Sequence, residues 1–512
     1  MPLAIALPAS ALAQDRSRVR VRAVVLERGA VFDSTEAQFW PYRLANALHV
    51  ETRASVIRRE LLIDVGDPWD SLLVAESERN LRALGIFRHA QIERQDTDSG
   101  IVMIVRTADA WTTTLGVGVA TSGSQSVIDL SLQEANLLGM RTVARFGYRN
   151  DPDRSSLLLG FDMPRVIDNR IGLGVSLVER SDGRGGTVSM RLPFLSLSSR
   201  TGGSLSASVV EGRVLQFSGP VIVDSLWRES ALLRADAAYA VAASPRGFLR
   251  VGVVGQVLRD DMVALEDRDF IPRTRTATAG PYVALRAPRF IRMHNVERIG
   301  RVEDFDLGFF ATATLLAAPA AWGYDRNGIG GSLGMGIGVP LPGGFARFGV
   351  RGSILETAAG TDTASVDAAA TTVLQRGERH LTVLHASAGL QHDVVPGREF
   401  DIGLGAGLRA YPAHAFTGDR FVLLAGEYRY LVLPRFLGLI GVGVAAYAGH
   451  AGAWNLGEPR RTGTEFGLGL RLASIREAGG IWRIDLSRRN AGAGFRGGWV
   501  ASLGRGFVFG GV

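Results

Sequence analysis

Cysteine is absent from the 512-residue chain, which excludes disulfides, thiolate metal sites and cysteine nucleophiles. Lysine is absent as well: all 57 basic residues are arginine, against 50 acidic ones, for a net charge of +7. The arginines are spread over the whole length, whereas a nucleic-acid binder would cluster them, so no nucleic-acid partner is expected. The eight histidines show no paired i, i+4 spacing, and no metal site or other cofactor is expected. Long apolar runs are missing too. The nearest, Phe436 to Gly449, is too short and too rich in glycine for a transmembrane helix.

What is abundant is glycine. The 64 glycines are nearly twice the usual share and lie mostly after about residue 115, alternating with Leu, Val, Ala and Phe. A chain of this length is expected to form two or more folding units. Leu3 to Leu12 is a small apolar run ending in Ala11-Leu12-Ala13 before Gln14, the small-x-small pattern of a signal-peptidase site. The basic segment that should precede it is missing, so residues 1–14 read as the remnant of a signal peptide.

Residues 17–108 read as mixed α/β. Val19 to Leu26 is a branched apolar strand, and residues 29–50, with Trp40 and Pro41, read as irregular. Ala54 to Ile63 has helical spacing and is broken by Gly66-Asp67-Pro68. Asp70 can cap a second helix, Leu72 to Leu84, which Gly85 ends. Strands near Ala90–Arg94 and Ile101–Arg106 follow, giving the order β-α-α-β-β.

From Trp111 to residue 512 the pattern is strict alternation with turn residues every 8 to 15 positions. Phe466, Leu468, Leu470 and Leu472 point one way; Glu465, Gly467, Gly469 and Arg471 point the other. Trp482, Ile484 and Leu486 oppose Arg483, Asp485 and Ser487 in the same manner. Lipid-facing Leu and Phe with Gly, Arg, Glu and Ser inside is the arrangement of a transmembrane antiparallel β-barrel. A closed barrel also leaves no backbone polar group unpaired in lipid.

Several motifs carry a family resemblance. In the first unit they are Arg59-Glu60-Leu61-Leu62, Gly66-Asp67-Pro68-Trp69-Asp70, Glu78-Arg79-Asn80-Leu81-Arg82 and the closing Asp109-Ala110-Trp111. In the second they are Asn136-Leu137-Leu138-Gly139, then Gly407-Leu408-Arg409-Ala410-Tyr411-Pro412, Gly418-Asp419-Arg420 and Glu427-Tyr428-Arg429-Tyr430. The whole resembles the BamA/TamA superfamily of outer-membrane assembly factors, of the bacterial surface antigen type.

That resemblance implies a periplasmic POTRA domain over 17–108 and a barrel of about sixteen strands over 111–512, in the bacterial outer membrane. Five strands would follow the long surface loop, near 420–432, 437–448, 462–473, 479–488 and 498–509. The segment upstream offers more strand-like runs than the eleven required, which leaves a larger barrel open. The resemblance also implies that the loop tip, Arg409 and Tyr411, folds back into the barrel and that Arg409 pairs with Glu427. An arginine buried in a polar lumen needs a carboxylate, and by alternation Glu427 and Arg429 share a face opposite Val422, Leu424 and Tyr428. Ala410 stands where the motif has Gly, and His450-Ala451-Gly452 where Asp-x-Gly is common, which removes one acidic partner. At the end of the chain, Ser502, Gly504, Phe507 and Phe509 fit a targeting strand read by pairing at its edge.

The expected function is assembly or insertion of outer-membrane proteins without nucleotide. The POTRA sheet edge would receive extended clients, and a lateral seam between Thr113–Thr121 and Trp499–Phe509 would open, kept weak by Gly116, Gly118, Gly504 and Gly506. Partners would be unfolded outer-membrane proteins, outer-membrane lipids, and periplasmic chaperones or lipoproteins. The alternatives are a passive channel that secretes a polypeptide or conducts solutes, and a structural or adhesive surface barrel. No enzyme is expected: Gly330-Gly331-Ser332-Leu333-Gly334 mimics a nucleophile elbow but lies in an alternating strand rather than a strand-turn-helix.

Overall fold

The structure is a computed structural model. It describes residues 20–505 apart from 34–37, 39, 123–124, 168–169, 269–270, 272, 394, 405–406 and 475–480. The leader read in residues 1–14 therefore lies outside the described residues, as do Gly506, Phe507 and Phe509.

The N-terminal unit runs β1 (Val21–Gly29), α1 (Trp40–Leu48), α2 (Ala54–Arg58), α3 (Ser71–Ala83), β2 (Phe87–Thr97) and β3 (Gly100–Asp109). Its sheet order is β1-β3-β2, with β1 parallel and β2 antiparallel to β3. Helix α3 starts where Asp70 Oδ1 accepts the amide of Leu72 at 2.8 Å, and Gly85, at φ 73°, ends it. Strand β3 is central: its Ile101, Met103 and Val105 are buried, the last two packing with Val56, Ile57, Val74 and Leu81 from the helices.

Two sequence readings change here. Helix α2 stops at Arg58 rather than Ile63, because the Leu62 amide donates to Ser77 Oγ (2.8 Å) on α3. Residues 40–48, read as irregular, form α1; Pro41 is harmless in a first helical turn, where its missing N–H has no partner to lose. The unit is thus a small three-stranded α/β sheet with three helices, and its architecture does not identify it as the POTRA domain that the motifs suggested.

The remainder is a closed antiparallel barrel of twenty strands, not about sixteen, from Thr113–Ser122 to Gly498–Arg505. Five strands follow the long loop: Arg420–Phe436, Ile440–Trp454, Thr462–Ser474, Trp482–Arg489 and Gly498–Arg505. The surplus lies upstream, where fifteen strands precede the loop. Alternation tells which face a residue occupies but does not count strands.

The faces are those of a membrane barrel. On Thr462–Ser474, Phe466, Leu468 and Leu470 are exposed outward while Glu465 and Arg471 are 2% exposed. Ile484 and Leu486 are exposed beside buried Asp485 and Ser487. An apolar outer surface around a charged inside is stable only in lipid. The end of the barrel carrying the α/β unit is called proximal below, and the other end distal.

The lumen is filled from both ends. Between Thr276–Ala287 and Phe309–Ala318 a short hairpin, Phe290–His294 with Val302–Asp306, packs Met293, Val296, Phe305 and Leu307 against Phe345, Val373, Leu381 and Val383 of the wall. It is tied to α3, since Arg82 donates twice to Asp304 (2.5 and 3.0 Å) and the Arg79 guanidinium lies 4.4 Å from the Phe290 ring centre. From the distal end, the loop between His380–His392 and Arg420–Phe436 buries Ile402, Leu408, Ala410, Tyr411, Ala415 and Phe416 against Leu423, Ala451, Ala453 and Val500.

Candidate functional site

Where the two plugs approach each other, three strands after the loop turn charged side chains inward. Glu427 and Arg429 come from the sixteenth barrel strand, Glu465 and Arg471 from the eighteenth, and Arg483 and Asp485 from the nineteenth. The seventeenth supplies Tyr447. Glu427, Arg429, Glu465, Arg471 and Asp485 are each 7% exposed or less.

The structure brings Arg409 and Glu427 together. Arg409 Nη2 donates to Glu427 Oε2 at 2.9 Å, and its Nη1 donates to Asp485 Oδ2, also at 2.9 Å. Arg471 bridges the same two carboxylates, with Nη2 2.8 Å from Glu427 Oε2 and Nη1 2.7 Å from Asp485 Oδ1. Arg429 Nε reaches Glu427 Oε1 at 2.5 Å. The Arg409 guanidinium also lies over the Tyr447 ring, 3.8 Å from its centre. Burying this many charges is tolerable only because each carboxylate is met by guanidinium or amide donors.

The loop tip is held by its backbone as well. Glu465 Oε2 accepts the amides of Arg409 (2.8 Å) and Ala410 (2.7 Å). Tyr411 donates to the Thr464 carbonyl at 3.0 Å and accepts the Thr464 amide at 2.9 Å. Its ring fits because residue 463 is glycine: a Cβ there would stand 2.4 Å from the Tyr411 ring. Ala410 for Gly is accommodated, since the left-handed backbone falls on Gly407 (φ 92°) and His414 (φ 54°) instead. The acid missing at position 450 is replaced by Glu465 and Asp485, while His450 bonds Thr464 Oγ1 at 2.9 Å.

Farther out, His414 stacks on Phe217 and lies 2.9 Å from Asp153 and 2.8 Å from Asp401. Burial alone would push its pKa down. Hydrogen bonding and attraction from the two carboxylates outweigh this and raise it to about 9, so the imidazole is charged at neutral pH.

The cluster joins the two plugs. Arg429 bonds Glu427 through Nε and donates from Nη1 to the Val296 carbonyl of the hairpin at 3.1 Å. Ile299, at the hairpin tip, packs with Leu431, Ala473 and Ile481. The inward placement of Glu465, Arg471, Arg483 and Asp485 was readable from alternation, but not that they would surround Arg409. Nothing in the sequence reading pointed to the hairpin.

The second feature is the closure of the barrel. The last strand meets the first through two residue pairs among the described residues, Ser502 with Ala120 and Leu503 with Val119. Its other neighbour is paired over eight positions, Trp482–Arg505 to Arg489–Gly498, and the first strand is paired with the second over ten. Gly118 lies at this seam, its Cβ position 3.9 Å from the Leu503 carbonyl, whereas Gly116 faces Ser131 and Gly504 packs on Arg483.

The sequence matches no protein-family model and no curated protein. Among solved structures it is similar to BamA from Haemophilus ducreyi lacking POTRA domains 1–3, at 12% identity and TM-score 0.38, over 96% of this chain and 85% of that one. It is similar to CdiB from Acinetobacter baumannii at 11% identity and TM-score 0.48, over 96% and 74%. The FrpB iron transporter from Neisseria meningitidis (F5-1 variant) matches at 8% identity and TM-score 0.43, over 80% and 84%. These likenesses concern a large barrel as a shape and carry nothing about what this chain moves or binds.

Proposed function

We propose that this outer-membrane barrel is an assembly factor, which inserts other outer-membrane proteins without nucleotide through the seam between its first and last strands. The observation that carries this reading is the closure, which among the described residues rests on two pairs, Ser502–Ala120 and Leu503–Val119. Each backbone hydrogen bond contributes about 0.5–1.5 kcal/mol net, so the described part of this junction separates at lower cost than its neighbours, which are paired over eight and ten positions among the described residues. Freed edges present unpaired N–H and C=O groups, on which an incoming extended chain can form strands.

The filled lumen supports the same reading, because hairpin and loop both stand in the way of transit along the axis. The α/β unit then faces the periplasm, with the outer edge of β2 offered to unfolded outer-membrane proteins, and with chaperones or lipoproteins as further partners on that side. The Arg409–Glu427 contact with Tyr411 serves as the loop lock that keeps the lumen closed while the seam works. Ser502 and Gly504, continued by Phe507 and Phe509, would serve as this chain's own targeting strand.

Because the chain has no cysteine, a disulfide between V119C and L503C can lock the seam cleanly. The oxidised double variant should lose client assembly into liposomes, regain it on reduction, and show low conductance throughout. Full activity of the locked form would sink the reading. So would steady open-pore conductance of the unmodified protein, which would favour a passive channel.

A further inference from the structure

Helix α1 is folded inside out. Its polar and aromatic face meets the α/β unit: Tyr42 stacks on Phe32 at 4.3 Å, Asn46 exchanges two hydrogen bonds with the Phe32 backbone (3.0 and 2.8 Å), and His49, just past the helix end, lies 2.8 Å from the Asp109 carboxylate. The opposite face carries Trp40, Leu44 and Leu48, which are 63%, 50% and 67% exposed. At about 100° per residue, these three make one stripe turned away from Tyr42, Asn46 and His49. A helix in water turns such a stripe inward.

Its position says what covers the stripe. The Tyr42 hydroxyl donates at 3.3 Å to the carbonyl of Leu437, in the proximal turn between Arg420–Phe436 and Ile440–Trp454. Leu437, Phe436 and Ile440 are themselves exposed and belong to the outward apolar surface of the barrel. The stripe therefore continues the lipid-facing band at the rim. Trp40 is the residue type that favours this depth, and exposed Arg43 on the flank suits lipid phosphates.

We infer that α1 is an interfacial membrane anchor, lying in the plane of the bilayer with Trp40, Leu44 and Leu48 in the acyl boundary of the proximal leaflet. Just after the helix, the Arg53 amide donates to the Gly139 carbonyl at 3.0 Å, in the turn before Thr142–Asn150. The two attachments, at Leu437 and Gly139, fall on either side of the seam, so the anchor seats the α/β unit beneath it. The anchor does not depend on whether the barrel assembles, secretes or conducts.

A single cysteine can be labelled without background. In the full chain, reconstituted in phosphatidylethanolamine–phosphatidylglycerol vesicles, a polarity-sensitive fluorophore at L44C should emit to the blue of the same label at S99C, an exposed position in the turn between β2 and β3. It should be quenched severalfold more than S99C by acyl-brominated lipid and severalfold less by aqueous iodide. Heat-modifiable gel migration checks that the barrel of each variant is folded. Equal iodide access at the two sites, with no quenching by brominated lipid, overturns the inference. Shielding from iodide without lipid quenching overturns it as well and assigns the stripe to residues 1–19 or to a second copy, which dilution distinguishes.

Discussion

Replacing Arg409 with alanine removes the loop's charged anchor while leaving the barrel wall in balance. The lumen cluster holds three carboxylates, Glu427, Glu465 and Asp485, and four guanidiniums, Arg409, Arg429, Arg471 and Arg483. Without Arg409, three face three, and Arg471 still bridges Glu427 and Asp485. Breaking a buried ion pair costs about 3–5 kcal/mol when a charge is left uncompensated; with compensation at hand, the lower end applies. About 3 kcal/mol shifts the docked loop toward release roughly 100-fold. Limited proteolysis of the reconstituted protein from the distal side should then cut within residues 393–419, and conductance should become intermittent, while thermal unfolding of the barrel changes little. Arg409→Lys should fall between, since one ammonium cannot span two carboxylates as a guanidinium fork does. Glu427→Gln should do the reverse, weakening the wall more than the loop, because Arg409, Arg429 and Arg471 lose a shared counter-charge. A protease pattern in Arg409→Ala identical to wild type, or a loss of barrel stability as large as that of Glu427→Gln, would refute the reasoning.

Tyr411→Phe leaves the Thr464 amide without its acceptor, a cost of about 1–3 kcal/mol, so the same proteolysis should show a smaller release than Arg409→Ala. Gly463→Val puts a side chain where the Tyr411 ring lies 2.4 Å from a Cβ, and should expose the loop tip without removing any charge. Asp304→Ala removes both Arg82 bonds, so hydrogen exchange should rise in residues 71–83 and 290–306 and stay unchanged in 393–419. The His414 clamp has a defined pH sense. Its folded pKa is raised to about 9, so its contribution is complete below the ordinary value near 6.5 and is lost as pH rises through 9. Protease protection of the loop should therefore fall between pH 7 and pH 10, and His414→Asn should abolish that dependence.

The legible parts of the fold were those that a single strand or helix decides. Alternation placed Phe466 and Leu468 outward and Glu465 and Arg471 inward, because period two fixes the face of each residue. The Asp70 cap and the Gly85 stop of α3 were local chemistry and were readable for that reason. Strand number was not local: a turn looks alike whether it closes the twelfth strand or the sixteenth. The hairpin at 290–306 was hidden because its apolar residues, such as Met293 and Phe305, face a plugged lumen rather than lipid, and burial inside leaves no distinct pattern. Helix α1 was missed because its apolar stripe, read beside Trp40 and Pro41, had no inner core to serve. In the cluster, the resemblance named one acceptor for Arg409, whereas Asp485 and Glu465 come from strands more than 50 residues away in sequence, which only the barrel's curvature brings together.

Magnitudes then decide which way this barrel opens most readily. The axial route requires both plugs to leave, and the outer one alone is held by two buried ion pairs of Arg409, two amide bonds to Glu465 and the packed Tyr411. The inner plug adds the burial of Met293, Val296, Phe305 and Leu307, each worth about 1.5–3 kcal/mol if the side chain became exposed to water. Because Arg429 touches Glu427 and Val296 together, displacing one plug disturbs the support of the other. The lateral route separates two residue pairs among the described residues, about 1–3 kcal/mol if each supplies one hydrogen bond. If the described pairs are the whole junction, the proposed lateral route opens by thermal fluctuation more often than the lumen does. If hydrogen exchange at Val119 and Leu503 proved as slow as at Glu427 and Arg429, the seam would be no weaker than the wall, and the lateral route would lose its physical basis.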